Sequence, residues 1–107
     1  MNYLFIDSRD PFETRDSEFI VSTATALRQR GNDVTVFLVQ NGVMAARRQA
    51  RDRYLSAVAS AGVRILADEF SLRERGITDD ELHPAIQISD VEAVVDMLAS
   101  GTKTIWH

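Results

Sequence analysis

Polar side chains that could do chemistry stand directly after several predicted strands. In a parallel α/β sheet, ligands bind beyond the carboxyl ends of the strands, where the connecting loops meet at one edge. We therefore expect a ligand-binding site at that edge, formed by side chains from different loops. Its predicted members are Asp7, Ser8, Asn41, Gly42, Asp68, Glu69, Ser89 and Asp90, with Trp106 and His107 as further candidates.

The adjacent carboxylates Asp68 and Glu69 allow two interpretations. They could serve as an acid and a base, or as part of a metal site. Alternatively, Asp68 caps a helix and Glu69 interacts favourably with the helix N-terminus, each effect being worth about 1 kcal/mol. We favour the second interpretation, because acidic residues at such positions so often begin helices.

Other chemical motifs in the sequence are weak. His83 follows the acidic run 79–81 but has no second histidine at ligand spacing, so a solvated loop histidine is favoured over a metal ligand. Neither Ser8 nor Ser71 lies in a G-x-S-x-G nucleophile elbow. Gly42 belongs to no glycine-rich nucleotide-binding loop. The sequence thus predicts no catalytic residue, no metal and no cofactor.

Composition narrows the class of protein. A chain of 107 residues, 45% of them hydrophobic and 26% charged, is predicted to fold as a single domain, residues 1–107. A net charge of −4 argues against a nucleic-acid partner, and the apolar runs are too short to span a membrane. We expect a cytoplasmic protein. The absence of cysteine excludes disulfides, thiolate nucleophiles, persulfides and cysteine metal sites.

The strongest structural signal is the stretch Asp33–Val43, D-V-T-V-F-L-V-Q-N-G-V. Its run of β-branched and aromatic residues is typical of a parallel strand covered by helices on both faces. The alternation of strands and helices along the chain predicts a three-layer α/β/α sandwich with a five-stranded, mainly parallel sheet. The other strands are predicted at residues 2–6, 63–67, 85–88 and 102–106, and helices at 16–30, 43–61, 69–75 and 89–100.

The last predicted helix has the clearest amphipathic pattern. Ser89 and Glu92 form a predicted capping box at its start. Its apolar residues recur at the spacing of one helical face, which predicts that this face packs on the sheet. These residues are Val91, Val94, Val95 and Leu98.

The second predicted helix carries a basic face made of Arg47, Arg48, Arg51 and Arg53. Such a face could bind an anion, but runs of charge are usually solvated. We therefore interpret it as a solvated surface or as the rim of an oligomer interface. Trp106 is a second interface candidate, and covering the edge of the core is an equally good role for it.

Three segments of the chain carry a family resemblance. They read V-F-L-V-Q-N-G-V at 36–43, A-D-E-F-S-L-R-E-R-G-I at 67–77 and S-D-V-E-A-V-V-D-M-L-A-S-G-T-K-T-I-W at 89–106. The chain resembles the DsrE/DsrF-like family, whose best-known members, including the TusD-type carriers, act in bacterial sulfur relay. The similarity covers essentially the whole chain. It implies a five-stranded α/β/α sandwich, a cytoplasmic location and assembly into trimers or hexamers.

The resemblance also singles out one position. In the carrier members, a cysteine after the third strand, eight residues before the glycine of an R-G pair, receives and passes on a persulfide. Counting back from Gly76, the corresponding residue in this sequence is Asp68. A carboxylate cannot hold a sulfane sulfur, so the carrier function does not transfer to this chain. Asp68 nevertheless occupies the family's functional corner, which strengthens it as a candidate site residue.

Three functions follow from these observations. We favour a non-catalytic binding or scaffold subunit that self-assembles or pairs with a related, cysteine-bearing DsrE-like subunit. The first alternative is a small-ligand-binding protein or enzyme that uses Asp68, Glu69 and Asn41 at the strand ends. The second is an interaction module whose basic face docks an acidic partner.

Overall fold

Strands and helices alternate along the chain, as the sequence pattern predicts. The computed structural model describes residues 1–10, 16–47 and 54–107. The strands are β1 (Asn2–Asp7), β2 (Asp33–Leu38), β3 (Arg64–Asp68), β4 (Ile86–Ser89) and β5 (Lys103–Trp106). The α-helices are α1 (Asp16–Gln29), α2 (Tyr54–Ser60), α3 (Glu69–Glu74) and α4 (Val91–Ala99), and shorter 3-10 helices span Gln40–Ala46 and Asp79–Glu81.

The five strands form one parallel sheet in the order β4-β3-β2-β1-β5. The predicted central strand, β2, is the middle strand, so the predicted fold class is confirmed. The chain moves in one direction from β1 to β4 and then crosses back to β5. Because such crossovers are right-handed, α1, α2 and α3 cover one face of the sheet and α4 covers the other. No helix in the described ranges is long and apolar enough to cross a membrane.

The core has two unequal halves. Successive side chains of a strand point to opposite faces, so Phe5 packs beneath α1–α3 whereas Leu4 and Ile6 pack beneath α4. The larger half gathers side chains from three helices and all five strands. The smaller half contains the buried residues Leu4, Ile6, Phe37, Leu66 and Val94. Of the helices in residues 1–10, 16–47 and 54–107, α4 alone, with nine residues, covers this smaller half.

The prediction that the face of Val91, Val94, Val95 and Leu98 packs on the sheet is mostly wrong. Val94 is buried, but Val91, Val95 and Leu98 are 65%, 57% and 52% exposed. The sheet takes the side of the helix that carries Val94 and the half-buried Met97, and the three exposed residues lie on the outer side. Apolar residues cover most of the circumference of α4, and Glu92 and Asp96 take the remaining side. The sequence pattern therefore could not show which part of this wide apolar surface faces the sheet.

The predicted capping box at the start of α4 is displaced by one residue. Asp90 is the N-cap, and its Oδ1 accepts a hydrogen bond from the Glu92 N–H at 3.1 Å. Ser89 still belongs to β4, where it pairs with Asp68 of β3. A capping box forms instead at Thr78, before the 3-10 helix Asp79–Glu81, where T-D-D-E carries the required spacing.

The helix predicted from Val43 begins later than expected. Residues 40–46 form a 3-10 helix that buries Val43 and two alanines in the core. Arg47 then makes an antiparallel bridge with Leu82, and α2 begins at Tyr54. Arg47 therefore does not lie on a helix, contrary to the predicted basic helical face. The other members of that face, Arg48, Arg51 and Arg53, lie outside the described residues.

Candidate functional site

The predicted site residues share the edge formed by the carboxyl ends of the parallel strands, but they separate into distinct groups. A central group gathers the tips of β1, β2 and β3, and a second group lies beside β5. The central group contains Asp7, Asn41, Gly42 and Asp68, together with Gln40, Ser71 and Arg75, which the sequence did not predict as members. The second group contains Ser8, Trp106 and His107.

Asp68 is a helix cap, as the favoured interpretation predicted. It is 7% exposed and stands at the N-cap of α3. Its Oδ2 accepts a hydrogen bond from the Ser71 backbone N–H at 2.9 Å and another from the Ser71 hydroxyl at 2.7 Å. Hydrogen bonds to a carboxylate are stronger than those between neutral groups. These two bonds replace hydrogen bonds to water that the carboxylate loses on burial.

Ser71 extends this contact to the segment after β2. Its Oγ accepts a hydrogen bond from the Gln40 backbone N–H at 2.9 Å. Gln40 has φ near 54°, a left-handed conformation that costs a non-glycine residue about 1–2 kcal/mol. The Ser71 hydroxyl therefore helps to hold the strained turn that starts the 3-10 helix. Ser71 is 3% exposed and its hydroxyl both donates and accepts, so it is committed to structure and not placed as a nucleophile.

Arg75 closes the outer side of the central group. Its Nη2 and Nε donate to the Asn41 Oδ1 at 3.0 and 3.3 Å, and its Nη1 donates to the Ser71 carbonyl oxygen at 3.2 Å. Asn41 is exposed, but its amide oxygen is already engaged by this guanidinium. A ligand at Asn41 would have to share or displace Arg75.

Gly42 lies against the end of β1. A Cβ atom at this position would stand 2.1 Å from the Asp7 carbonyl oxygen, a distance that no side chain can occupy. The same oxygen accepts a hydrogen bond from the Val39 N–H at 3.0 Å. The Asp7 side chain is 3% exposed, and its Oδ1 accepts from the Arg9 N–H at 3.1 Å. This close approach thus explains the glycine at position 42 without reference to any ligand.

Glu69 has different surroundings from Asp68. It is exposed and forms an i, i+4 ion pair with Arg73 at 2.7 Å. It borders a cavity of about 150 Å³ that also includes Leu72 and Ile88 but not Asp68. One carboxylate is therefore buried and the other solvated, and the cavity beside Glu69 does not include Asp68.

The second group borders a cavity of about 220 Å³ at the carboxyl ends of β1 and β5. The Ser8 N–H and hydroxyl both donate to the His107 carbonyl oxygen, at 2.9 and 3.2 Å. The His107 ring stacks on Phe19 with a centroid distance of 5.2 Å. Trp106 is 65% exposed at the rim.

The histidine considered as a metal ligand is tied to its own loop. His83 Nδ1 accepts a hydrogen bond from the Ala85 N–H at 3.0 Å. Within the described part of the chain, no group of three or more histidine, aspartate or glutamate side chains is arranged to hold a metal ion. Ligand binding at the strand tips stays a prediction.

Local sequence signals could have found part of the central group. Asp68 and Ser71 are three residues apart, which is the spacing of an N-cap and the N–H that it accepts from. The Gln40–Ser71 bond joins residues 31 positions apart, and the Arg75–Asn41 bond joins residues 34 positions apart. Neither bond has a local signature.

Comparisons with known proteins agree with this architecture. The sequence matches the DsrE/DsrF-like family over residues 1–106. No curated protein matches it. The fold is similar to that of the ychN protein from E. coli, with 19% identity, a TM-score of 0.85 and full coverage of both chains.

Two further solved structures share the fold. Protein MTH1491 from Methanobacterium thermoautotrophicum, whose function is described as unknown, has 23% identity and a TM-score of 0.82, with 98% of this chain and 96% of that chain covered. Protein BT1422 from Bacteroides thetaiotaomicron, also of unknown function, has 16% identity and a TM-score of 0.77, with 99% and 95% covered.

Proposed function

The chain belongs to the DsrE/DsrF-like family, and from this premise we propose that it is a non-catalytic binding or scaffold subunit of a homo- or hetero-oligomer. Its setting is a cytoplasmic sulfur relay, and its partner is a second copy or a related DsrE-like subunit that carries a cysteine. The observation that carries the proposal is the state of position 68. The residue there is a buried aspartate that accepts two hydrogen bonds from Ser71, and the chain contains no cysteine.

Sulfur transfer needs a thiolate that a donor and an acceptor can both reach. Asp68 supplies neither the sulfur nor the access, because it is 7% exposed and caps α3. The corner that resembles the carriers' reactive site is thus used for stability. Because position 68 holds no sulfur, we base the proposed binding role on the surface of the molecule.

The outer side of α4 is that surface. We define the α4 stripe as Val91, Val95 and Leu98, each more than half exposed. They stand at i, i+4 and i+7, so they form one continuous apolar strip along the helix. Fully burying a valine or leucine side chain contributes about 1.5–3 kcal/mol. A partner that covers the strip would gain a substantial share of that energy.

Trp106 adds to the same side of the molecule. It pairs with Ile6 in the sheet register, and Ile6 packs in the half of the core that α4 covers. Alternation along the strands therefore places Trp106 on the α4 side of the sheet. Exposed tryptophan is enriched in the energetic centres of protein interfaces. Arg47 is exposed and stays a candidate for the rim.

Light scattering after size-exclusion chromatography tests the proposal directly. The chain has a mass of 12.0 kDa, and the implied trimer or hexamer would appear as a threefold or sixfold multiple of it. In a parallel experiment, the tagged protein is mixed with a purified cysteine-bearing DsrE-like subunit. A strict monomer that captures no such subunit would contradict the proposed role.

A further inference from the structure

A cavity of about 460 Å³ lies at the opposite edge of the sheet from the strand tips described above. It is lined by the first residues of β1, β2 and β3 and by the segment that follows α4. Its volume falls within the range of small-molecule sites in proteins, roughly 300–1,000 Å³. The lining residues with polar or charged side chains include Arg28, Asp33, Thr35, Arg64, Ser100 and Thr102.

Thr35 is the polar residue among the otherwise apolar residues 34–38 of β2. It is 7% exposed, and its Oγ1 accepts a hydrogen bond from the Nε–H of Arg64 at 3.3 Å. The two residues stand opposite each other in the β2–β3 register. The buried hydroxyl therefore orients the Arg64 guanidinium at the wall of the cavity.

Arg28 reaches the cavity from the last turn of α1. Its Nη1 donates to the Asn32 carbonyl oxygen at 3.2 Å. A Cβ atom at Gly62 would stand 3.0 Å from the Arg28 Nε, so the absence of a side chain there leaves room for the arginine. Arg28 is half-buried, and its position is thus fixed by packing as well as by a hydrogen bond.

The two guanidinium groups have unused binding capacity. Each makes one of the hydrogen bonds described above, which leaves its other N–H groups available. Across residues 1–10, 16–47 and 54–107, neither arginine forms an ion pair with a carboxylate. Asp33 is the acidic residue in the lining, so two positive charges face one negative charge.

From these contacts we propose that the cavity binds a small molecule through a carboxylate or phosphate group held between Arg28 and Arg64. The planar guanidinium fork matches both kinds of oxyanion, because it can donate two parallel N–H bonds to their oxygens. Ser100 and Thr102 also line the cavity. The Ser100 hydroxyl donates to the Met97 carbonyl oxygen at 2.9 Å, so its oxygen is left to accept a hydrogen bond from the rest of the molecule. This site is separate from the α4 stripe and does not depend on the proposed scaffold role.

NMR titration of the ¹⁵N-labelled protein tests the site with three probes, inorganic phosphate, succinate and sodium chloride, at constant total ionic strength. We expect saturable shifts of the Thr35, Gly62 and Arg64 amides with phosphate, with succinate or with both. The probe that saturates identifies the oxyanion. Shifts that sodium chloride reproduces, or that rise without saturation for both oxyanions, would overturn the proposal.

Substitutions locate the binding. Arg64→Gln and Arg28→Gln should each weaken the saturable binding about tenfold or more, the effect of losing a charge-assisted hydrogen bond. Arg73→Gln is the matched control, because this arginine pairs with Glu69 at the other edge of the sheet, and it should leave the affinity unchanged. If Arg28→Gln fails to fold, the exposed Arg64 carries the test alone. Unchanged affinity in Arg64→Gln overturns the proposal.

Discussion

The hydroxyl of Ser71 donates a hydrogen bond to Asp68 Oδ2 at 2.7 Å, and both side chains are almost completely buried. The same carboxylate oxygen receives the Ser71 backbone N–H. The resemblance to the carrier members implies that their persulfide cysteine corresponds to this position. Here the corner joins the start of α3 to the turn at Gln40. The hydrogen bonds of this corner therefore have a structural role.

Removing the carboxylate should destabilise the protein measurably. Asp68→Ala removes the cap of α3 and leaves the buried Ser71 hydroxyl without its acceptor, which together cost about 2–3 kcal/mol. The free energy of unfolding from urea denaturation measures the loss. Asp90→Ala is the control, since Asp90 caps α4 from an exposed position through one bond to Glu92, and it should cost about 1 kcal/mol or less. Equal losses in the two variants would show that Asp68 is an ordinary surface cap.

Placing a thiol at the same position tests how closed the corner is. The sequence has no cysteine, so Asp68→Cys and Glu69→Cys each contain a single thiol. Because Asp68 is 7% exposed and the Glu69 side chain is 59% exposed, we expect Ellman's reagent to label residue 68 at least about tenfold more slowly than residue 69. Similar labelling rates in native buffer would mean that the corner opens to solvent readily.

The fold could be predicted because its signals are local. The mostly apolar run of β2 favours helices on both faces, and regular strand–helix alternation then leads to a parallel sheet. The structure puts β2 in the middle of that sheet. The orientation of α4 could not be predicted, because its apolar residues cover most of the helix surface apart from the side of Glu92 and Asp96, and the pattern does not distinguish which part the sheet buries. The segment 40–46 was missed because Ala45 and Ala46 suit an α-helix by propensity, whereas tertiary packing imposes a 3-10 helix.

The candidate site could be predicted only at the level of strand ends. Parallel topology places Asp7, Gly42 and Asp68 at one edge whatever the loops do. Which side chains turn inward depends on contacts between residues far apart in sequence, such as Ser71 with Gln40. The cavity at Arg64 was not predicted at all, because its lining comes from the amino ends of strands, where the topology rule places no site.

Gly42→Ala should be one of the most disruptive single-atom additions to this chain. The added Cβ would overlap the Asp7 carbonyl oxygen at 2.1 Å, and both partners belong to backbone that cannot rotate away. We expect a loss of about 3 kcal/mol or more in the free energy of unfolding, or failure to fold. Gly31→Ala provides the contrast, because Gly31 has φ near 88° but nothing within 4 Å of an added Cβ. Its cost should be the conformational one alone, about 1–2 kcal/mol. A smaller loss for Gly42→Ala than for Gly31→Ala, measured by urea denaturation, would contradict the close approach.

A charge on the α4 stripe should dissociate the proposed assembly without unfolding the subunit. Val95 is 57% exposed in the subunit, and glutamate has a higher helix propensity than valine, so Val95→Glu should leave the thermal unfolding of the isolated subunit nearly unchanged. In an assembly that buries the stripe, the same carboxylate would lose its water without gaining a partner, which is strongly unfavourable. Light scattering of the variant should therefore give the monomer mass at concentrations where the unmodified protein is oligomeric. Ala26→Glu is the matched control, because Ala26 is also exposed on a helix but lies on α1, across the sheet from α4. It should keep the mass of the unmodified protein. If Val95→Glu keeps that mass as well, the stripe is not the surface through which the subunits meet.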